Sequence, residues 1–202
     1  MTQQTGSLRY GPTPVAAALY HLHRIQSRGI LKIMSQTKPI TLSISTPDGV
    51  FVAHYSATGL CGLNFPSGKN KSGIQSDADP LPRQVQSWHS TTVKALKQVL
   101  AGKAPETLPP LDLSSGTNFQ QQVWQALLKI SCGQTLSYGE VAKAIGNAKA
   151  LRAVGGACGA NPIPVLVPCH RVLAAHQRLG GFSSDPNWKR TLLTREGVQW
   201  HS

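Results

Sequence analysis

Two helix-start signals in the second half of this 202-residue chain constrain its fold most strongly. In each, an N-cap Ser or Thr is followed three residues later by Gln or Glu, at Thr117–Gln120 and at Ser137–Glu140. Such capping boxes satisfy backbone N–H groups that an α-helix leaves unpaired at its start. The first predicts a helix over 119–130, and the second predicts a short helix that reaches Ile145.

A further helix is predicted over 150–159, after a tight connection at 146–149. Two short helices joined in this way are typical of a helix-turn-helix, and an ordinary helical hairpin explains the pattern equally well. The second helix consists almost entirely of small residues, and its adjacent Gly155 and Gly156 each cost about 1 kcal/mol in a helix interior. A helix that reads bases carries long polar side chains, whereas this one has only Arg152. The pattern favours docking by shape, in the minor groove of DNA.

The first half of the chain predicts a small antiparallel sheet with one helix. Alternating apolar residues and a Pro-Asp-Gly turn indicate strands, and an amphipathic stretch ended by Gly102 indicates a helix; the segments are 40–46, 50–55, 59–65 and 85–100. We therefore expect an α+β protein of two domains. A sheet-plus-helix domain over 39–110 would precede a mostly helical domain over 111–202, with a winged-helix-like helix-turn-helix and a buried cysteine turn.

Residues 1–38 are predicted to be an extension. They contain no acid, and with Arg24, Arg28 and Lys32 they superficially resemble an organelle transit peptide. Met34 stands just before the first predicted strand. A start codon assigned too far upstream, with translation beginning at Met34, therefore explains the segment equally well. We favour a misassigned start or a dispensable tail over targeting, which leaves open whether residues 1–33 belong to the working protein.

The charge of the chain is +12 at pH 7, and residues 118–202 hold nine bases against three acids. This excess suggests a polyanion partner, most simply nucleic acid, with general solubility as the alternative. The four cysteines form no Cys-x-x-Cys pair, which argues against a zinc ribbon or a disulfide framework. Free thiols fit a reducing, intracellular compartment. No apolar run approaches the ~18 residues of a membrane span.

The segment Pro168–Val172 contains the candidate reactive residues of the chain. It follows an apolar run, Ile163–Val167, that predicts a short buried strand. The strand would deliver Cys169 into a tight turn with His170 directly after it. A thiol attacks carbon as a thiolate, and an adjacent imidazole that accepts a proton helps to form one. Cys169 is therefore a candidate nucleophile.

Taken together, these segments resemble the O6-alkylguanine-DNA alkyltransferases. The resemblance is dense over 118–197 and looser back to Ile40, and the motifs that carry it in order are Phe119–Trp124, Tyr138, Arg152–Ala157, Asn161-Pro162 and Pro168–Val172. It implies DNA repair by irreversible transfer of an alkyl group from O6-alkylguanine, with O4-methylthymine as a further candidate substrate. The protein would bind double-stranded DNA independently of sequence, flip the damaged base and react once. No cofactor, no metal and no membrane are expected, and the protein would be a monomer in the cytoplasm, or in the nucleus or an organelle of a eukaryote.

The resemblance also implies roles for single residues. Cys169 would accept the alkyl group, His170 would act through a water as the base, and Glu196 would orient and polarise His170. Tyr138 would donate a proton to the leaving base, and Asn161 would tie the recognition helix to the cysteine turn. Arg152 would fill the gap left by the flipped base, on a helix whose small residues Ala153, Gly155 and Gly156 allow close approach to DNA. The base pocket would include Val172, Phe182, Ser183 and Pro164.

The chain departs from the family at the pocket loop. Phe182 stands where relatives often have Tyr, and Ser184-Asp185 replaces a glycine or Trp-Gly pair, so the width of the pocket is open. The Cys-rich sensor domain of the regulatory members is absent from this sequence. Three other classes are alternatives. A non-catalytic lesion-binding relative would lack this cysteine, a helix-turn-helix regulator would carry several base-reading side chains, and a Cys–His hydrolase would turn over repeatedly.

Overall fold

A computed structural model describes residues 38–67, 81–180 and 186–201. The extension at 1–37, most of the loop after the third strand, and the pocket residues Phe182 and Ser183 lie outside these ranges. The first element is an antiparallel sheet in the order β1-β2-β3, formed by Ile40–Thr46, Gly49–Tyr55 and Leu60–Asn64. The three strands predicted from the alternating pattern are confirmed.

Five helices follow in the described ranges: α1 (Arg83–Leu100), α2 (Asn118–Leu127), α3 (Tyr138–Ala144), α4 (Leu151–Gly159) and α5 (Pro186–Arg195). Short strands β4 (Leu136–Ser137) and β5 (Val172–Leu173) pair in parallel. Both capping boxes are formed. The Thr117 hydroxyl accepts from the Gln120 N–H at 3.3 Å, and the Ser137 hydroxyl accepts from the Glu140 N–H at 3.2 Å. The predicted helix starts at these sites are therefore confirmed.

One hydrophobic core runs through residues 39–202, which form one compact unit. Phe51 and Leu96 enter this core from the first half, and Trp124 and Val154 enter it from the second. The Trp124 indole N–H donates to the carbonyl of Ala157 at 2.8 Å, which fixes α4 against α2. The α+β class is confirmed, whereas a domain boundary at 110/111 stays a prediction.

The C-terminal end of α5 is fastened to the turn between β1 and β2. The guanidinium of Arg195, the last residue of α5, donates to both carboxylate oxygens of Asp48 at 2.7 and 2.8 Å. Hydrogen bonds from Arg195 hold the pKa of the Asp48 carboxyl below its usual range. The pair lies one residue before Glu196.

The strand predicted at Ile163–Val167 is wrong. The segment forms buried turns, in which the Val167 N–H donates to the Ile163 carbonyl at 2.9 Å and Val165 has a φ of 76°. Periodicity cannot distinguish a short buried strand from other buried backbone. Here the side chain of Asn161 satisfies both ends of the run, so the segment needs no neighbouring strand.

Within the described ranges, no helix combines the length and the hydropathy that crossing a bilayer requires.

Candidate active site

Cys169 begins a short 3₁₀ turn, Cys169–Arg171, at the base of a cavity of about 750 Å³. The side chain is almost fully buried, with 5% of the residue exposed. Burial raises the pKa of the Cys169 thiol, while a hydrogen bond from Asn161 and the charge of Lys189 act in the opposite direction. The resting group is therefore a thiol, which needs a base before it can attack carbon.

His170 supplies a base of suitable form. Its Nε2 lies 3.0 Å from Oε1 of Glu196, and both side chains are fully buried. Burial alone would raise the pKa of the Glu196 carboxyl, but hydrogen bonds from His170 and Arg171 outweigh it and hold the pKa at about 2. Because an ionised carboxylate only accepts hydrogen bonds, the proton of a neutral His170 resides on Nε2.

The other ring nitrogen of His170 is then free to accept a proton. Among the described residues, Nδ1 of His170 is the buried side-chain nitrogen or oxygen with no hydrogen-bond partner. Burial lowers the pKa of His170, against the opposing effect of Glu196, so the ring is neutral near pH 7. A buried imidazole with one anchored nitrogen and one available lone pair suits general-base chemistry.

Arg171 fixes the acid of this pair, a role that the sequence analysis did not assign. Its Nη2 donates to Oε1 of Glu196 at 2.8 Å, its Nε donates to Oε2 at 3.0 Å, and its Nη1 donates to the Ile130 carbonyl at 2.6 Å. The Gly133 N–H adds a contact to Oε2 of Glu196 at 3.3 Å. A bidentate guanidinium holds a carboxylate in one orientation, so Glu196 presents a fixed oxygen to His170.

Lys189 is a second residue that the sequence did not reveal. It lies on α5 with 2% of the residue exposed, and its ammonium donates to the carbonyls of Val172 at 2.7 Å and Leu179 at 2.5 Å. Burial lowers the pKa of Lys189 to about 8, against the effects of Cys169 and Cys158. On a short amphipathic helix a lysine is normally exposed, so only the fold shows that this one tethers the segment after Cys169.

Asn161 lies where the sequence predicted a tie between α4 and the cysteine turn. Its side-chain NH₂ donates to the Val167 carbonyl at 2.8 Å, and its oxygen accepts from the Ile163 N–H at 3.0 Å. The backbone N–H of Asn161 donates to the carbonyl of Cys158, near the end of α4. The amide thus fixes the buried turn that leads to Cys169.

Tyr138 is the first residue of α3 and lines the cavity above Cys169. The side chain is half-buried, and burial raises the pKa of its phenol to about 12. The phenol therefore keeps its proton at neutral pH and is available as a hydrogen-bond donor. Gly180 lies against this ring with a φ of +64°, and an added Cβ there would lie 3.2 Å from the ring.

The exposed face of α4 forms the other wall of the cavity. Arg152 and Gly155 line it, while Ala153 and Gly156 are exposed on the same helix. Cys158 also lines the cavity, and burial followed by the proximity of Cys169 raises the pKa of its thiol to about 12.

The lining of this cavity includes neither Val172 nor Pro164, two of the predicted pocket residues. Val172 is fully buried, and its carbonyl already accepts from Lys189, which leaves one lone pair for another donor. Pro164 lines a separate cavity beside Trp188, and its place in the base pocket stays a prediction. Among the described residues, no group of three or more His, Cys, Asp or Glu side chains could hold a metal ion.

Comparison of the sequence with known proteins identifies relatives of this chain. Residues 118–198 match the family profile described as "6-O-methylguanine DNA methyltransferase, DNA binding domain". A methylated-DNA–protein-cysteine methyltransferase of Methanosarcina acetivorans is 38% identical over 159 residues, which cover 75% of this chain and 94% of the relative. The chain belongs to the methylated-DNA–protein-cysteine methyltransferase family. A family member from Mycobacterium tuberculosis is 50% identical over 107 residues, but the match spans only 53% of this chain and 64% of that relative.

Solved structures of family members share the fold. The crystal structure of Mycobacterium tuberculosis OGT in complex with DNA aligns with a TM-score of 0.63 and 39% identity, over 77% of this chain and 91% of that one. The O6-methylguanine-DNA methyltransferase of Pyrococcus kodakaraensis aligns with a TM-score of 0.52 and 27% identity, over 78% and 98%. These alignments confirm the α+β class expected from the sequence.

Proposed function

We propose that the protein repairs DNA by moving an alkyl group from O6 of guanine to the sulfur of Cys169, once per molecule. The observation that carries this proposal is the position of Cys169 at the base of a cavity walled by α4, with the buried His170–Glu196 pair next to it in the fold. Membership of a family whose curated members are named for methyl transfer from DNA to a protein cysteine supports the same reaction.

The reaction begins with the proton of the Cys169 thiol. His170 takes this proton on Nδ1 through a water, and the Glu196 carboxylate stabilises the imidazolium that forms. The thiolate then attacks the alkyl carbon, a carbon–sulfur bond forms, and the bond between that carbon and O6 breaks. The electron pair remains on guanine, which gains a proton donated by Tyr138. The phenolate of Tyr138 and the imidazolium of His170 then return to their neutral forms by proton exchange with solvent. Because a thioether is not readily hydrolysed, Cys169 is consumed.

Double-stranded DNA is the proposed partner, and the related structure solved with DNA supports this choice. The basic residues of the C-terminal half would contact phosphates without reading sequence. The exposed small residues Ala153 and Gly156 would let α4 approach the minor groove closely. Arg152, an exposed residue that lines the cavity, would occupy the space that the flipped base leaves in the stack.

The flipped base would enter the cavity above Cys169. Backbone groups of Cys169 and Val172 would contact the edge of the guanine, and Phe182 and Ser183 would complete the pocket as the family resemblance implies. O4-methylthymine stays a second candidate substrate. We further propose a monomer that needs no cofactor and acts in the compartment that holds its DNA, which is the cytoplasm in a bacterium.

The test is a titration with duplex DNA that carries O6-methylguanine with a labelled methyl group. The proposal expects one label bound covalently per protein molecule, after which fresh substrate transfers nothing more. A helix-turn-helix regulator or a lesion-binding relative would bind the duplex and acquire no label. A Cys–His hydrolase would release label over many turnovers. Either of these results would reject the proposed reaction.

A further inference from the structure

Leu151 is an unusual residue on the surface of the described part of the chain. It is 48% exposed, and no other large hydrophobic residue in the described ranges is exposed. A single exposed apolar side chain needs no explanation by itself. Leu151, however, is the first residue of α4 and lines the cavity that ends at Cys169, immediately before Arg152.

The position of Leu151 is defined by the start of the neighbouring helix. An added Cβ at Gly139 would lie 3.9 Å from Cδ2 of Leu151, so this side chain lies over the first turn of α3, next to Tyr138. Leu151 and Arg152 both line the cavity and are exposed, whereas Cys169, which lines it too, is almost fully buried.

We infer that Leu151 is a positioning residue that acts as an apolar wedge, packing against the sugar and base of the nucleotide that flanks the extruded guanine. This inference rests on the proposed function and adds to it a second residue, beside Arg152, that stabilises the DNA with the guanine extruded. Proteins that bind the minor groove commonly insert apolar side chains beside a base step, where they partly unstack it. Contact with the flanking nucleotide would also remove the exposed leucine from water.

The surroundings of Leu151 favour DNA over an apolar protein partner. The two helices and their connection, residues 138–160, carry exposed Lys143, Lys149 and Arg152. The acid in this stretch is Glu140, and its carboxylate is held at 2.6 Å from the backbone N–H of Ser137 in the capping box. The leucine is thus an apolar point on a basic surface, which complements a groove lined by phosphates.

The wedge differs chemically from the role proposed for Arg152. A guanidinium can hydrogen-bond to the base that has lost its partner, so its contribution depends on which base lies opposite the lesion. A leucine contributes burial alone, and its effect on transfer is therefore independent of the opposite base. The two side chains can be distinguished by this dependence.

The test measures single-turnover transfer by the wild type, Leu151→Ala and the conservative Leu151→Met. Each is given three substrates: an O6-methylguanine duplex, the same strand alone, and free O6-benzylguanine. We expect Leu151→Ala to slow transfer from the duplex about tenfold, with either C or T opposite the lesion, and to slow transfer from the single strand less, because no paired base has to be extruded there. Reaction with free O6-benzylguanine, which has no flanking nucleotide, should change less than about threefold. Leu151→Met should react with the duplex within about twofold of the wild type.

Three results overturn the wedge while the proposed function stands. The first is wild-type speed of Leu151→Ala on the duplex, and the second is an equal loss on all three substrates. The third is an effect of Leu151→Ala that is confined to one opposite base. A wild-type protein that transfers from none of the substrates overturns the proposed function, and the wedge with it.

Discussion

The Nε2 atom of His170 lies 3.0 Å from Oε1 of Glu196 in a fully buried pair, and this contact determines which ring nitrogen can act. Because the carboxylate is ionised and is held by Arg171, it orients His170 with its proton on Nε2. The lone pair of Nδ1 is then available for the proton of the acceptor thiol.

The base role of His170 predicts a large rate effect on its removal. His170→Asn should lower the single-turnover rate of transfer about 100-fold or more, because positioned general bases contribute 10²–10⁴-fold. The control is His89→Asn, since His89 contacts the Tyr55 hydroxyl at 3.1 Å and does not line the cavity. A His170→Asn variant that reacts as fast as the control would contradict the assignment.

The pKa of Glu196 predicts a specific dependence of stability on pH. The pKa of this carboxyl is about 2 in the folded protein, below its ordinary value of 4.5. Its contribution is therefore fully present above pH 4.5 and is lost as the pH falls toward 2. Urea unfolding from pH 7 to pH 3 should show the wild type losing stability faster than Glu196→Gln. Parallel curves would show that the Glu196 carboxylate does not stabilise the fold.

The placement of Arg152 predicts that its removal affects duplex repair selectively. Arg152→Ala should weaken transfer from duplex DNA about tenfold or more, while reaction with free O6-benzylguanine, which needs no base extrusion, is largely retained. Arg83→Ala is the matched control, because it removes the same charge from an exposed position at the start of α1. Equal losses on both substrates would remove the extrusion role of Arg152.

The two hydrogen bonds of Asn161 predict a loss of both stability and rate in Asn161→Ala. The Ile163 N–H would lose its hydrogen-bond partner in a buried turn, at about 1–3 kcal/mol for an unsatisfied group. The Val167 carbonyl would lose the Asn161 amide but would still accept from the Cys169 N–H. Urea unfolding and the single-turnover transfer rate measure the two effects. If both are unchanged, Asn161 does not hold the cysteine turn.

Much of the fold followed from local signals in the sequence. The capping boxes at Thr117 and Ser137 located the starts of α2 and α3, because cap hydrogen bonds depend on neighbouring residues alone. The Pro-Asp-Gly turn and the alternation after Ile40 located the hairpin for the same reason. The motif around Cys169 contains Cys169, which lines the cavity, and His170, which belongs to the buried pair.

What the sequence could not show depends on contacts between distant segments. The buried ammonium of Lys189 donates hydrogen bonds to the carbonyls of Val172 and Leu179. The residues next to Lys189 in the sequence do not indicate either of these partners. Arg171 reaches Glu196 across 25 positions of the chain. The apolar run before Cys169 has the pattern of a strand in the sequence. It forms turns because the side chain of Asn161 bonds to its backbone, which the pattern alone does not show.

The central claim is tested most directly by locating the transferred group. After reaction with one equivalent of O6-methylguanine duplex, peptide mass spectrometry should find a single methyl group, on Cys169. Cys158 is an internal control, because it lines the same cavity and its thiol pKa is raised to about 12. Cys158→Ala should still become methylated, and Cys169→Ala should not. A methyl group on Cys158, or a methylated Cys169→Ala protein, would contradict the account.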